Sequence, residues 1–247
     1  MILKLWENLP DDMKNDCVKK YYCRLYEKRH YLYAKRIFDI AAAITILIIT
    51  FPILIILGIA IKLDSKGPCI FSQIRVTQYG KKFKIYKLRT MSYADTGPLL
   101  TAMNDIRITN IGKFLRRYRL DEIPQLINII LGDMSFVGTS PEVVKYVEKY
   151  SEEMKATLLL PAGVTSIASI LYKDEEMLLK NSADAEDIYL NEILPEKMMY
   201  NLRSLEDFSL LTDIKTIFWT VLAMVKKDTT LKRVTKRITN NYKDLEF

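Results

Sequence analysis

Histidine is almost absent: His30 is the only one in 247 residues. That excludes an HExxH zinc site, a His-rich metal site and a Ser-His-Asp triad. Cysteine is scarce too. Cys17, Cys23 and Cys69 never fall at CxxC spacing, and three scattered thiols fit a reducing compartment better than a disulfide framework. The eight glycines form no GxG, which removes the Walker A and Rossmann phosphate loops. No DxD occurs either, so the metal-binding signature of many soluble glycosyltransferases is missing.

What is present is apolar and unevenly charged. Apolar residues make up 49% of the chain and charged residues 27%, too apolar for a disordered chain. The length suits one large domain or two small ones with a real core. Residues 1–120 hold 22 basic and 9 acidic side chains, a balance of +13, while the remainder holds 15 and 21, a balance of −6. A basic front end implies an anionic partner: phosphate, nucleic acid or an anionic membrane surface.

Residues 40–61 read IAAAITILIITFPILIILGIAI, 22 residues without a charge. That is long enough to cross a bilayer core of ~30 Å. The first twenty residues are charged and carry no signal-peptide pattern, so the segment is expected to be internal and retained. Pro52 sits just past its middle, where it removes a backbone donor and kinks or breaks a helix. Both flanks are basic: residues 19–36 carry seven basic residues and one acid, and residues 62–89 carry eight and one. Basic flanks prefer the cytoplasmic side. Satisfying both ends requires the chain to enter and return, as a helix-break-helix wedge in one leaflet; the alternative is a tilted, Pro-kinked single span, which places one basic flank on the far side. A buried helix of a soluble protein fits less well, because every face is apolar.

Residues 1–36 read as helical, with tyrosines 21, 22, 26, 31 and 33 among basic residues. That composition suits a membrane interface, or equally an amphipathic helix on a protein surface. Ile70 to Val76 and Phe83 to Thr90 read as strands joined by a turn at Thr77–Lys81. Gly112 to Arg119 is a basic amphipathic stretch, and Pro124 to Leu131 reads as a short helix stopped by Gly132. Residues 142–160, 185–203 and 209–227 read as helical, and the tail from 228 is basic. The expected division is a charged N-terminal segment (1–36), a membrane-inserted catalytic domain (37–227) and a basic tail (228–247). The expected fold is mainly α with a small β-hairpin, interfacial amphipathic helices and a Pro-broken membrane helix.

The chemistry concentrates in Arg116 to Glu142. Asp121 and Glu122 stand just before Pro124, which belongs in a first helical turn. A helix N-terminus keeps a carboxylate ionised and can hold phosphate. Arg116, Arg117 and Arg119 crowd the same place. Adjacent carboxylates among arginines suit one acid as nucleophile and one as ligand of a hard metal, with guanidinium groups on phosphate. A capped helix with solvated ion pairs would use the same residues.

Taken together, the chain from about Lys35 to Lys226 resembles the bacterial sugar transferases, the monotopic phosphoglycosyl transferases. The resemblance runs through Lys35-Arg36-Ile37-Phe38-Asp39, Gly67-Pro68, Phe71, Gln73, Arg75, Gly80-Lys81 and Lys87-Leu88-Arg89-Thr90-Met91. It continues through Arg107-Ile108-Thr109, Gly112, Phe114-Leu115-Arg116 and Leu120 to Leu126, and closes on Gly132 to Ser135 and Val137-Gly138. Leu160 to Ser166 with Tyr172 to Glu175 is similar to one subgroup.

This resemblance implies roles residue by residue. Asp121 matches the nucleophile and Glu122 its partner in holding magnesium. Arg116 matches a phosphate-binding arginine, Lys87 and Arg89 the basic residues of the strand lining the site, and Pro52 the proline that breaks a re-entrant helix. The implied activity moves a sugar-1-phosphate from a nucleotide sugar, a uridine diphosphate sugar by resemblance, to undecaprenyl phosphate. That step opens capsule, exopolysaccharide or other surface-glycan assembly at the bacterial inner membrane, with the active site facing the cytoplasm. Two positions depart from the pattern. Phe51 replaces a usual serine before Pro52. Ser140, followed by Pro141, stands where the donor-binding motif has arginine, and Arg117 or Arg119 is expected to compensate. The alternative is a membrane scaffold of the same family that no longer turns over. A nucleic-acid binder is disfavoured, since no helix-turn-helix, zinc or RNP motif is present. The sugar and the oligomeric state are not written in the sequence.

Overall fold

The computed structural model describes residues 3–92, 105–173 and 185–225. Asp174, Glu175, the tail from 228 and the last two positions of the 209–227 segment lie outside the described residues.

The chain opens with two single turns and helix α1 (Asp16–Glu27), whose N-terminus is capped by the Asn15 side chain accepting from Val18 N at 2.9 Å. Val18, Tyr21, Tyr22 and Leu25 recur at helical spacing and are buried together. They join the largest core, with Tyr146, Tyr150, Leu159, Leu194, Met198, Leu202 and Phe208 from the far half of the chain. Tyr21 and Tyr22 are therefore core residues, whereas Tyr26, Tyr31 and Tyr33 stay exposed. Composition alone cannot separate these two groups; position on the helix does.

Helix α2 (Arg29–Asp64) is the longest element and runs through Pro52 without interruption. At 1.5 Å per residue it would extend about 54 Å if straight. Proline in mid-helix costs one hydrogen bond and is tolerated as a kink. The Thr50 hydroxyl, two residues earlier, donates to the Ile46 carbonyl at 2.7 Å. Ile48, Ile49, Phe51, Ile55, Ile56 and Ile59 are exposed along it. Its most apolar stretch has a mean hydropathy of 3.0 and is almost unburied, so α2 is long and apolar enough to cross a membrane.

Both ends of α2 are fastened to the same folded body. Near its start, the Arg36 guanidinium donates to the carbonyls of Ile129 and Ile130 at 2.5 and 2.9 Å. At its finish, Arg89 donates to the carbonyls of Ser65 and Lys66 at 2.6 and 2.8 Å. Asp64 also accepts from Ile111 N at 3.0 Å.

The expected hairpin is present. Strands β1 (Ile70–Val76) and β2 (Lys82–Leu88) pair antiparallel, with Phe71 opposite Lys87 and Arg75 opposite Phe83. The turn needs Gly80 at φ 75. Helix α3 (Asn110–Arg117) is capped by Thr109. Helix α4 (Gln125–Leu131) ends on left-handed Gly132, at φ 94. Asn128 of α4 covers the outer edge of β2, accepting from Tyr86 N at 3.1 Å and donating to Lys84 O at 2.8 Å. An edge strand is thereby satisfied by one buried side chain.

Three expectations need correction. Helix α2 is continuous through Pro52 and not broken there, since a mid-helix proline removes only one hydrogen bond and the flanking turns hold. A second sheet exists: β3 (Met134–Val137) pairs in parallel with β4 (Ala162–Thr165). Four-residue strands are too short to show alternation, so pattern reading misses them. Residues 142–160 are not one helix but helix α5 (Val144–Val147) and a 3-10 run at Met154–Leu159. Helix α6 (Ile167–Leu171) follows β4, capped by a reciprocal Ser166–Ser169 box. Helices α7 (Ala185–Ile188) and α8 (Leu194–Glu206) are joined by a wide π-type turn at Tyr189–Ile193, and α9 (Leu210–Val225) closes the described chain.

The second sheet depends on two glycines. A Cβ on Gly163 would lie 2.2 Å from Gly138 N and 2.3 Å from Gly138 O. Backbone cannot yield as a flexible side chain does, so Gly163→Ala should destabilise the protein by about 1–3 kcal/mol. Chemical denaturation in detergent measures this; an unchanged midpoint would contradict the close approach.

Candidate active site

The Asp121–Glu122 pair lies on a single 3-10 turn, Leu120–Glu122, between α3 and α4. Helix α3 ends at Arg117, and the chain reverses through Arg119, which takes a left-handed conformation at φ 52. Pro124 then starts α4. Left-handed Arg119 turns the chain; Ile123 stays helical at φ −53 and ψ −40 despite the proline after it, and the Pro124 ring suits the next helix start.

Asp121 is 8% exposed. Burial raises its carboxyl above the usual carboxylate range; Lys87 opposes this, Glu122 adds to it and Arg116 opposes it. Glu122 moves the other way. Burial would raise it, but the charges of Lys87 and Arg119 outweigh that cost and hold it low. The Lys87 ammonium donates to Glu122 Oε1 at 3.2 Å, and Arg119 Nη1 stands 3.9 Å from Oε2. The two neighbouring acids are thus pushed apart in acidity, the arrangement that assigns adjacent carboxylates different roles.

Lys87 arrives from β2. Arg116, on the last turn of α3, donates from Nε to Thr90 Oγ1 at 3.0 Å. So the structure brings together Asp121, Glu122, Lys87 and Arg116. Arg89 is placed differently. It is buried, and its guanidinium is engaged with the carbonyls of Ile61, Ser65 and Lys66 at the end of α2. Strand alternation would put Lys87 and Arg89, two residues apart, on one face, but Arg89 lies one residue beyond the strand and turns to the end of α2 instead.

Ser140 and Pro141 are half-buried in the loop after β3. The cation beside this loop is Arg75, which donates to Pro141 O at 3.1 Å and to Gln73 Oε1 at 2.7 Å. Arg117 instead lies over the Tyr118 ring, and Arg119 is engaged with Glu122 and the Ser169 carbonyl. The sequence offered one usable signal for Arg75: it shares a strand period with Gln73 and Phe71 opposite Lys87.

Glu142, next in the loop, is held in a buried network. The Tyr189 hydroxyl donates to its Oε1 at 2.6 Å, Lys197 stands 3.8 Å away, and Arg75 approaches Oε2 at 3.9 Å. This network ties the Ser140–Pro141 loop to the π-type turn and α8. Tyr189→Phe removes one hydrogen bond to a buried carboxylate, so unfolding free energy should fall by about 1.5–3 kcal/mol. A loss below about 0.5 kcal/mol would mean the hydroxyl is not holding Glu142.

The chain belongs to the bacterial sugar transferase family, whose model matches residues 30–227. It is 36% identical over 192 residues to a UDP-glucose:undecaprenyl-phosphate glucose-1-phosphate transferase of Klebsiella pneumoniae, covering 76% of this chain and 39% of that one. A Caulobacter vibrioides protein of the same description is 31% identical over 199 residues, covering 78% of this chain and 70% of that one. A UDP-N-acetylgalactosamine-undecaprenyl-phosphate N-acetylgalactosaminephosphotransferase of Aeromonas hydrophila is 30% identical over 196 residues, 77% of this chain and 43% of that one. The chain therefore spans about two fifths of the length of several curated relatives it matches.

Proposed function

We propose that this protein transfers a sugar-1-phosphate from a nucleoside diphosphate sugar, with uridine as the base, to undecaprenyl phosphate. The observation that carries the reading is the buried Asp121 beside an ionised Glu122, ringed by Lys87, Arg116 and Arg119. A carboxylate oxygen of Asp121 attacks the phosphorus bearing the sugar. The bond from that phosphorus to the bridging oxygen breaks, and the nucleoside monophosphate leaves with the electron pair. An oxygen of undecaprenyl phosphate then attacks the same phosphorus. The acyl-phosphate bond breaks, Asp121 returns as carboxylate, and the product is an undecaprenyl diphosphosugar. Splitting the exchange into two displacements lets the bulky substrates bind in turn. Lys87 and Arg116 offset the negative charge of the diphosphate and orient it.

In this reading Asp121 and Glu122 would hold a magnesium ion, Glu122 being kept ionised by Lys87 and Arg119 and so offering a charged oxygen donor beside Asp121. Mg²⁺ takes one or two carboxylates from a protein and completes its shell with substrate phosphate and water, and bound there it would neutralise phosphate charge. The acceptor lies at a bilayer surface. Insertion of α2 into one leaflet of the inner membrane, with both flanks and the site on the cytoplasmic face, is supported by the two anchors. Arg36 and Arg89 tie opposite ends of α2 to one body, and the exposed isoleucines lie between them. Product release of this kind would begin surface-glycan assembly. The related proteins carry different sugars in their descriptions, so the sugar is left open.

The test is a panel of UDP-sugars with undecaprenyl phosphate and magnesium, following UMP. UMP release that requires both the acceptor and one sugar supports the reading. Its absence across the panel, in protein that remains folded, would leave a non-catalytic scaffold of the same family.

A further inference from the structure

Arg119 combines two features that the transfer chemistry above does not require. Its backbone is left-handed, at φ 52 and ψ 26, in the residue directly before the turn that carries Asp121 and Glu122. A non-glycine residue held there costs on the order of 1–2 kcal/mol unless its surroundings compensate. Its guanidinium bridges two elements. Nη2 donates to the Ser169 carbonyl at 3.3 Å, and Nη1 stands 3.9 Å from Glu122 Oε2. Lys87 holds the other oxygen, Oε1, from the hairpin side. Each Glu122 carboxylate oxygen thus has a cation near it, one from β2 and one from its own turn.

The far anchor is rigid. Ser169 lies in α6 within the Ser166 capping box, with Ser169 N donating to Ser166 Oγ at 3.0 Å. Thr165 Oγ1 lies 2.7 Å from Thr220 Oγ1, which fastens the start of α6 to α9. We propose that Arg119 is a positioning residue: its left-handed backbone aims a guanidinium bridge that locks the Asp121–Glu122 turn against α6. Its catalytic consequence rests on the transfer reading; the lock itself does not.

Arg119→Gly tests this without endangering the fold, because glycine occupies the left-handed region without strain. In full-length protein in nanodiscs, turnover in UMP release should fall at least tenfold, about 1.4 kcal/mol of barrier. The Michaelis constant for the UDP-sugar should stay within about threefold, and the unfolding midpoint should not drop. Arg119→Lys keeps the charge but cannot span both partners, so it should recover part of the turnover. Hydrogen–deuterium exchange supplies an arm that needs no substrate: amides 120–123 should exchange faster in Arg119→Gly while α1 and α8 remain unchanged. Turnover within twofold of the parent together with unaltered exchange at 120–123 would overturn the proposal. A parent protein that releases no UMP would count against the transfer reading alone, and the exchange result would then decide the role of Arg119.

Discussion

Asp121→Asn should abolish UMP release and any phosphosugar adduct on the protein. The carboxylate is 8% exposed and shares its turn with Glu122, so its replacement by an isosteric amide leaves packing intact while removing the attacking oxygen. Loss of an essential nucleophile commonly costs several orders of magnitude in rate. Glu122→Gln should also be severe, for a different reason. It strips the negative charge that Lys87 and Arg119 now neutralise, leaving both cations uncompensated beside a phosphate site. The two variants should separate by intact-mass spectrometry after incubation with donor alone. Asp121→Asn can carry no adduct, whereas Glu122→Gln should still form one slowly. Near-parental turnover in Asp121→Asn would remove the covalent mechanism.

The second large effect is on stability and lies away from the dyad. Lys35, 2% exposed on α2, forms a close ion pair with Asp213 of α9. Nearby, Ser135 Oγ donates to Asp39 at 2.8 Å. Burial raises the Asp213 carboxyl above its usual range, Lys35 opposes that, and Asp39 adds to it. Lys35→Met would leave Asp213 buried without its counter-charge, a change that typically costs about 3–5 kcal/mol. The pH dependence follows from the direction of the shift. A carboxyl whose folded value lies above its unfolded value binds its proton more tightly when folded. Acidification through the raised value should therefore restore part of the lost stability of Lys35→Met. The double variant Lys35→Met/Asp213→Leu should recover most of it, since an apolar pair can replace a buried ion pair with little loss. Equal instability of the single and double variants would show that Lys35 acts through packing alone.

The hairpin was legible because Ile70–Val76 and the following strand flank a Thr-Gln-Tyr-Gly turn with a glycine where positive φ is needed. Helix α4 was bracketed by Pro124 and Gly132, whose backbone constraints act locally. Local signals of this kind survive in a one-dimensional reading. The parallel pairing of β3 and β4 left no such trace, since its strands are four residues each and separated by more than twenty. The mixed-charge stretch at 142–160 suggested a helix, but its apolar residues serve the large core from short turns instead.

The sequence by itself determined three features of this protein: a 22-residue apolar segment between basic flanks, an acidic pair before a proline, and a basic front half. Residue type, spacing and local backbone preference suffice for these. Tertiary structure alone decided where each cation is used. Lys87 reaches Glu122, Arg89 closes the end of α2, Arg75 reaches the Pro141 loop, and Arg119 spans from Glu122 to α6. All four are basic residues, and residue type alone does not say which partner each takes. A long cationic side chain can satisfy carboxylates or carbonyls in several directions, and long-range packing selects among them. The same reason divides the N-terminal tyrosines: contact with residues more than a hundred positions away buries Tyr21 against Glu153 and leaves Tyr33 exposed.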